Sequence, residues 1–139
     1  MKKEINEIIS RSDINVDSIE KILKNAGISV AKKNENSIYI ESLDLGAVVK
    51  VSEYFILILI PFSVREGVDM DRLQSEIHKM NSKMAIGDIT INASNDIVFS
   101  LSYLTISGFY IPHFISTVDA FFSISRESLN QNDLSEFLE

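Results

Sequence analysis

Cysteine is absent from this chain, which excludes disulfides, thiolate metal sites and cysteine nucleophiles. Tryptophan is absent too, and only two prolines and five glycines punctuate 139 residues. Five glycines leave no glycine-rich phosphate loop, and none forms the Gly-x-Ser-x-Gly elbow of a serine hydrolase. Positive charge is scarce: 13 Lys and Arg stand against 20 Asp and Glu, a net charge of -7. A phosphate backbone needs clustered cations, so nucleic acid is not an expected partner. The carboxylate excess is concentrated from Met70 onward. Solubility accounts for it, and a basic protein or peptide partner is the sharper alternative. No apolar run approaches the roughly 20 residues of a membrane-spanning helix, so no membrane insertion is expected. Glu4 and Glu7 interrupt the basic start before any signal-peptide core can form. Together with the missing cysteines this fits a cytoplasmic protein.

What is present is pattern. With 45% hydrophobic residues the chain can bury a core as a single domain over residues 1–139. Ile5, Ile8 and Ile9 have helical spacing in a short, uncapped stretch, read as an N-terminal arm over 1–14. A firmer helix is expected from Asp17, with Glu20 in capping-box spacing, a stripe of Val16, Ile19, Ile22, Leu23 and Ala26, and Gly27 as its stop. Lys32–Asn36 reads as a polar break. Strands follow around Ile38 and Ile40, and at Ala47, Val49 and Val51, with Asp44-Leu45-Gly46 as the turn. The segment Tyr54–Phe62 is apolar on both faces: Ile56, Ile58 and Ile60 point one way, Phe55, Leu57 and Leu59 the other. Such a strand needs cover on both sides. Its own helices can supply one; more of the domain, a second subunit or a bound partner must supply the other. Pro61 is expected to end its ladder.

Asp69 can cap a helix with the stripe Leu73, Ile77, Met80 and Met84. Two alternating strands then flank the turn Asn92–Asp96. At Ser107-Gly108 the period changes from two to about 3.6, with Pro112 in the first turn of a final helix. That helix carries Phe114, Val118, Phe121 and Phe122, with Ile115 and Ile124 widening the stripe beyond an ordinary amphipathic face. Either it lies deep in the core, or the surplus marks a protein–protein interface. Residues 130–139 read as a flexible tail, with Leu134, Phe137 and Leu138 able to dock. The expected fold is α+β, a mostly antiparallel five-stranded sheet in the order helix, three strands, helix, two strands, helix.

Chemistry finds little footing. His78 and His113 are 35 positions apart and lack further metal ligands at specific spacing, so they read as helix-surface histidines. Asp69-Met-Asp71 opens like a calcium loop, but Gln74 stands where the sharp-turn glycine belongs. No basic residue is interleaved with the final aromatics before Arg126, which disfavours base stacking. No cofactor, no metal and no enzymatic activity are expected.

Asn81 after the crossover helix, the hairpin of strands Gly87–Ala93 and Asp96–Ile106, and Ser107-Gly108 opening a helix with Phe114, Val118, Phe121 and Phe122 together resemble the YbjN family of bacterial sensory-transduction regulators. That family is similar in fold to the specialised chaperones of type III secretion. The resemblance covers roughly residues 15–128 and carries no catalytic residues. It implies a small acidic protein, often a homodimer, that binds other proteins through apolar helix and sheet surface. On this reading Phe55, Leu57, Leu59, Phe114, Val118, Phe121 and Phe122 are the candidate protein-binding or dimer residues. The alternatives are a small-ligand sensor with a pocket between sheet and final helix, or a structural subunit of a bacterial or phage assembly.

Overall fold

The computed structural model describes residues 7–131 and 133–139. Its elements are β1 (Ile8–Ile9), α1 (Val16–Asn25), β2 (Ser29–Lys33), β3 (Ser37–Ser42), β4 (Leu45–Val51), β5 (Phe55–Phe62), α2 (Met70–Asn81), β6 (Asp88–Ile91), β7 (Ile97–Leu104), β8 (Phe109–Tyr110) and α3 (Ile111–Gln131). Six strands form one antiparallel sheet in the order β2-β3-β4-β5-β7-β6. The α+β class and the antiparallel pairing agree with the sequence pattern. The strand count is one higher than expected, because β2 occupies part of the supposed polar break. Its burial follows no alternation, and its register to β3 shifts between Val30 and Lys32. A bulged edge strand rich in lysine carries no period-two signal.

Alternation decides the core. Ile38, Ile40, Ala47, Val49, Ile56, Ile58, Ile60, Ile89, Ile97 and Phe99 all point to one side and are buried there under the three helices. The α1 cap differs from the expected one. Asn15 Oδ1 accepts from the Ser18 N–H at 2.9 Å, and Ser18 Oγ accepts from the Asn15 N–H at 3.0 Å, a reciprocal capping box. The helix therefore starts before Asp17. Asp17 and Glu20 instead receive Lys33 Nζ from β2, at 2.7 and 3.2 Å. The hydrogen bond that Lys33 donates to Asp17, then that to Glu20, holds the Lys33 ammonium above its ordinary pKa, and the Lys33 hydrogen bond draws the Glu20 carboxyl below its own. Asp69 caps α2 as expected, accepting from the Asp71 and Arg72 N–H groups. The β3–β4 turn is Leu43–Asp44, both at positive φ, and Gly46 lies within β4. Pro61 ends only one ladder: β4 pairs with β5 as far as Leu59, while β7 pairs with it through Phe62.

The described parts of both chain ends pack against the rest of the fold. Residues 1–6 of the expected arm lie outside the described residues. Ile8 and Ile9, read as helical, form a strand paired with Tyr110 and Phe109. This pairing explains Gly108. Its φ is +77°, and a Cβ there would lie 2.4 Å from the Ile9 carbonyl oxygen. Beyond α3 the chain makes a 3-10 turn over Asp133–Phe137 that buries Leu134 and Phe137, and Val64 bridges Leu138. Arg65 Nε donates to the Leu138 carbonyl at 2.6 Å, and Arg72 pairs with Glu136. Leu134 and Phe137, which the sequence marks as able to dock, are the apolar anchors of this segment.

Candidate functional site

The seven candidate residues divide between the two sides of the sheet. Phe114, Val118, Phe121 and Phe122 are fully buried within the single chain. Phe114 packs its ring 5.1 Å from that of Tyr103 and 5.0 Å from that of Phe109; Phe121 and Phe122 are 6.4 Å apart. The α3 stripe is wide because the helix is wedged between β7, β8 and the Asp133–Phe137 turn, not because it presents a surface. Of the two readings left open by the sequence, the core reading holds for this helix. These four side chains pack between the sheet and α3. A cleft of about 540 Å3 lies elsewhere, between α1 and the start of α3, lined by Ile22, Ala26, Ile111 and Ile115 among others.

Phe55, Leu57 and Leu59 lie on the other side of the sheet, away from all three helices. Phe55 is exposed, opposite Leu104 on β7, which is 72% exposed. Leu57 and Leu59 are half-buried. One row crosses all six strands on this face: Lys32, Tyr39, Val48, Leu59, Ser100 and Asp88, each the register partner of the next. The next rows add Lys50, Leu57 and Ser102, and then Pro61, Val98 and Thr90. The face is thus apolar in the middle and charged at its two ends. Lys32 Nζ stands 6.0 Å from the Tyr39 ring, and Asp88 Oδ1 accepts from Ser100 Oγ at 2.6 Å. Tyr54, Phe55, Leu104 and Ile106 extend the apolar surface to one end of the sheet, where Arg11 lies over the Tyr54 ring at 4.5 Å and pairs with Glu53.

Both sheet edges are closed to a further strand. On β6, Asn81 Nδ2 donates to the Ile89 carbonyl at 2.8 Å, and the Ile89 N–H donates to Asn81 Oδ1 at 2.7 Å. One side-chain amide thereby pairs as a neighbouring strand would. On β2, the bulge and Lys32 and Lys33 blunt the opposite edge. Asn81→Ala leaves the Ile89 groups unpaired and is expected to cost about 1–2 kcal/mol. Asn81→Asp, unable to donate to the Ile89 carbonyl, should lose most of the same amount. Urea unfolding checks both, and wild-type midpoints would show that the amide does not carry the edge. Sequence reasoning missed the role of Asn81, because its partner lies on another element.

Among the described residues no cluster of His, Asp and Glu could hold a metal ion, and no helix is long and apolar enough to cross a membrane. His78 is exposed on α2. His113 Nδ1 lies 2.6 Å from the Tyr103 hydroxyl, whose pKa burial raises.

No known protein family matches the chain, and a search of curated proteins found no similar sequence. Among solved structures the chain is similar to the crystal structure of "YbjN, a putative transcription regulator from E. coli", with a TM-score of 0.75 over 91% of this chain and 96% of that one, at 14% sequence identity. The fold is therefore YbjN-like.

Proposed function

We propose that this chain is a non-enzymatic protein-binding module of the YbjN kind, regulatory or chaperone-like, working through the open face of its sheet. One observation carries the reading. The face is apolar at Tyr39, Val48, Phe55, Leu57, Leu59 and Leu104, and no helix among the described residues covers it. Apolar surface contiguous over several strands and rimmed by charge marks a binding surface. The closed edges favour the face over strand addition. The YbjN-like fold supports a binding role at the level of architecture.

The test is retention of proteins from the native host by the tagged full chain, quantified by mass spectrometry with copies of the chain itself included. Leu57→Glu combined with Leu59→Glu should leave the far-UV circular dichroism unchanged and deplete the retained proteins about tenfold or more, as expected for losing central contacts. Lys79→Glu, on exposed α2, should retain them. Equal retention by all three proteins would sink the reading.

A further inference from the structure

We infer that the cleft between α1 and the start of α3 is a binding site separate from the open face, and that it takes a small organic cation with an apolar body, of the arylalkylammonium class. The inference goes beyond the protein-binding reading above, because this cleft lies on the helical side of the sheet. Two hollows make it up. One, of about 540 Å3, has walls of Ile22, Ala26, Ile111, Pro112 and Ile115. The other, of about 300 Å3, lies between β1 and α1 and shares Ile22, Asn25 and Ile111 with the first. Small-molecule sites are hollows of roughly 300–1,000 Å3 with mostly apolar walls and a few polar groups. The larger hollow has that make-up, its polar lining being Glu7, Asn25 and Ser116.

Charge selects the ligand. Glu7 is the one charged residue lining the larger hollow, and among the described residues no cation pairs with it. Its carboxylate accepts from the Tyr110 hydroxyl at 3.2 Å. The Glu7 charge, then this hydrogen bond, raises the Tyr110 pKa, so the phenol stays a donor. Asp13 and Lys21 line the smaller hollow and offset each other. The cleft thus offers one negative charge beside an apolar wall. An ammonium on an apolar body meets both, whereas a carboxylate on the same body is repelled. The walls are also held in place. The Ile111 N–H donates to the Glu7 carbonyl at 2.6 Å, and Ile8 and Ile9 pair with Tyr110 and Phe109, which ties Glu7 to the start of α3. On the opposite wall the Asn15–Ser18 capping box fixes the first turn of α1. Walls ordered beforehand spare a ligand the cost of ordering them.

Amide-resolved NMR titration of the full chain with phenethylammonium, phenethyl alcohol and phenylacetate tests the site. Shifts should cluster at Ile22, Asn25, Ala26, Ile111 and Ser116, with the ammonium binding at about millimolar concentration. It should bind about fivefold more tightly than the alcohol, as an exposed ion pair allows, and phenylacetate more weakly than the alcohol. Glu7→Gln should bring the ammonium down to the affinity of the alcohol and leave the alcohol unchanged. Ala26→Phe, at an exposed position, should fill the hollow and abolish binding of all three. Leu57→Glu combined with Leu59→Glu should bind the ammonium as the wild type does, so the cleft and the open face stand or fall separately. A chain that binds none of the probes overturns the inference. So does an ammonium no tighter than the alcohol, one indifferent to Glu7→Gln, or shifts confined to β4 and β5. Binding that emerges only after Lys2 and Lys3 are replaced by alanine assigns the cleft to the chain's own start, and overturns it as well.

Discussion

Phe121→Ala should destabilise the protein by about 3–5 kcal/mol, a large part of the roughly 5–15 kcal/mol available to a domain. The ring is fully buried and lies against Gly87, where a Cβ would come within 2.9 Å of Phe121 Cε1 and 2.7 Å of the Ser100 carbonyl oxygen. The close approach of ring and backbone leaves little slack for collapse around a truncated side chain, so the cavity should persist. The same reasoning makes Phe122→Asp an unfolding substitution rather than a surface one. Burying a lone carboxylate is far costlier than losing the ring. Urea titration and circular dichroism check both. A folded Phe122→Asp with a wild-type midpoint would mean that α3 faces outward and that the packing described above is wrong.

The second large effect is expected at Gly108→Ala. Positive φ alone costs a residue with a Cβ about 1–2 kcal/mol. The added methyl would also meet the Ile9 carbonyl oxygen at 2.4 Å. That contact is with backbone, so relief requires β1 to move away from β8. The expected result is a loss of about 2–3 kcal/mol with the β1–β8 ribbon opened. Amide hydrogen exchange reports this locally, because the Ile111 N–H donates to the Glu7 carbonyl across the same junction. Faster exchange at Ile111 with little change in β3–β5 is predicted. Unchanged protection at Ile111 would show that the ribbon tolerates the methyl.

These two sites bracket what is legible in the sequence. Alternation identifies the inward faces of β3, β4 and β7, because one side of each strand is buried and the other is not. The double-sided apolarity of β5 marks the open face, since helices can cover only one side of it. Side-chain capping by Asp69 and the stop at Gly27 are local events, so local sequence reports them. Three features depend on contacts remote in the chain. β2 has one half-buried residue, Val30, and depends on pairing with β3. Asn81 acts on Ile89 through a tertiary contact that leaves no periodic trace. The breadth of the α3 stripe is ambiguous because a helix covered on several sides and a helix with a spare face carry the same pattern. Only the docked Asp133–Phe137 turn and β8 distinguish them.

The strand order has a further consequence for how the sheet holds together. β2 to β5 form a meander joined by short turns; only residues 52–54 separate β4 from β5. The pairing of β5 with β7 is different, since residues 63–96 lie between Phe62 and Ile97. For flexible segments, a loop roughly tenfold longer costs about 2 kcal/mol more entropy to close. The sheet is thus a local meander joined to a remote hairpin along one seam. That seam runs under the open face one strand away from its midpoint, between Leu57 and Leu59 on one side and Ser102 and Ser100 on the other. Whatever lies across the face grips both halves at once and works as a clasp over the join that closes the longest loop within the six-stranded sheet.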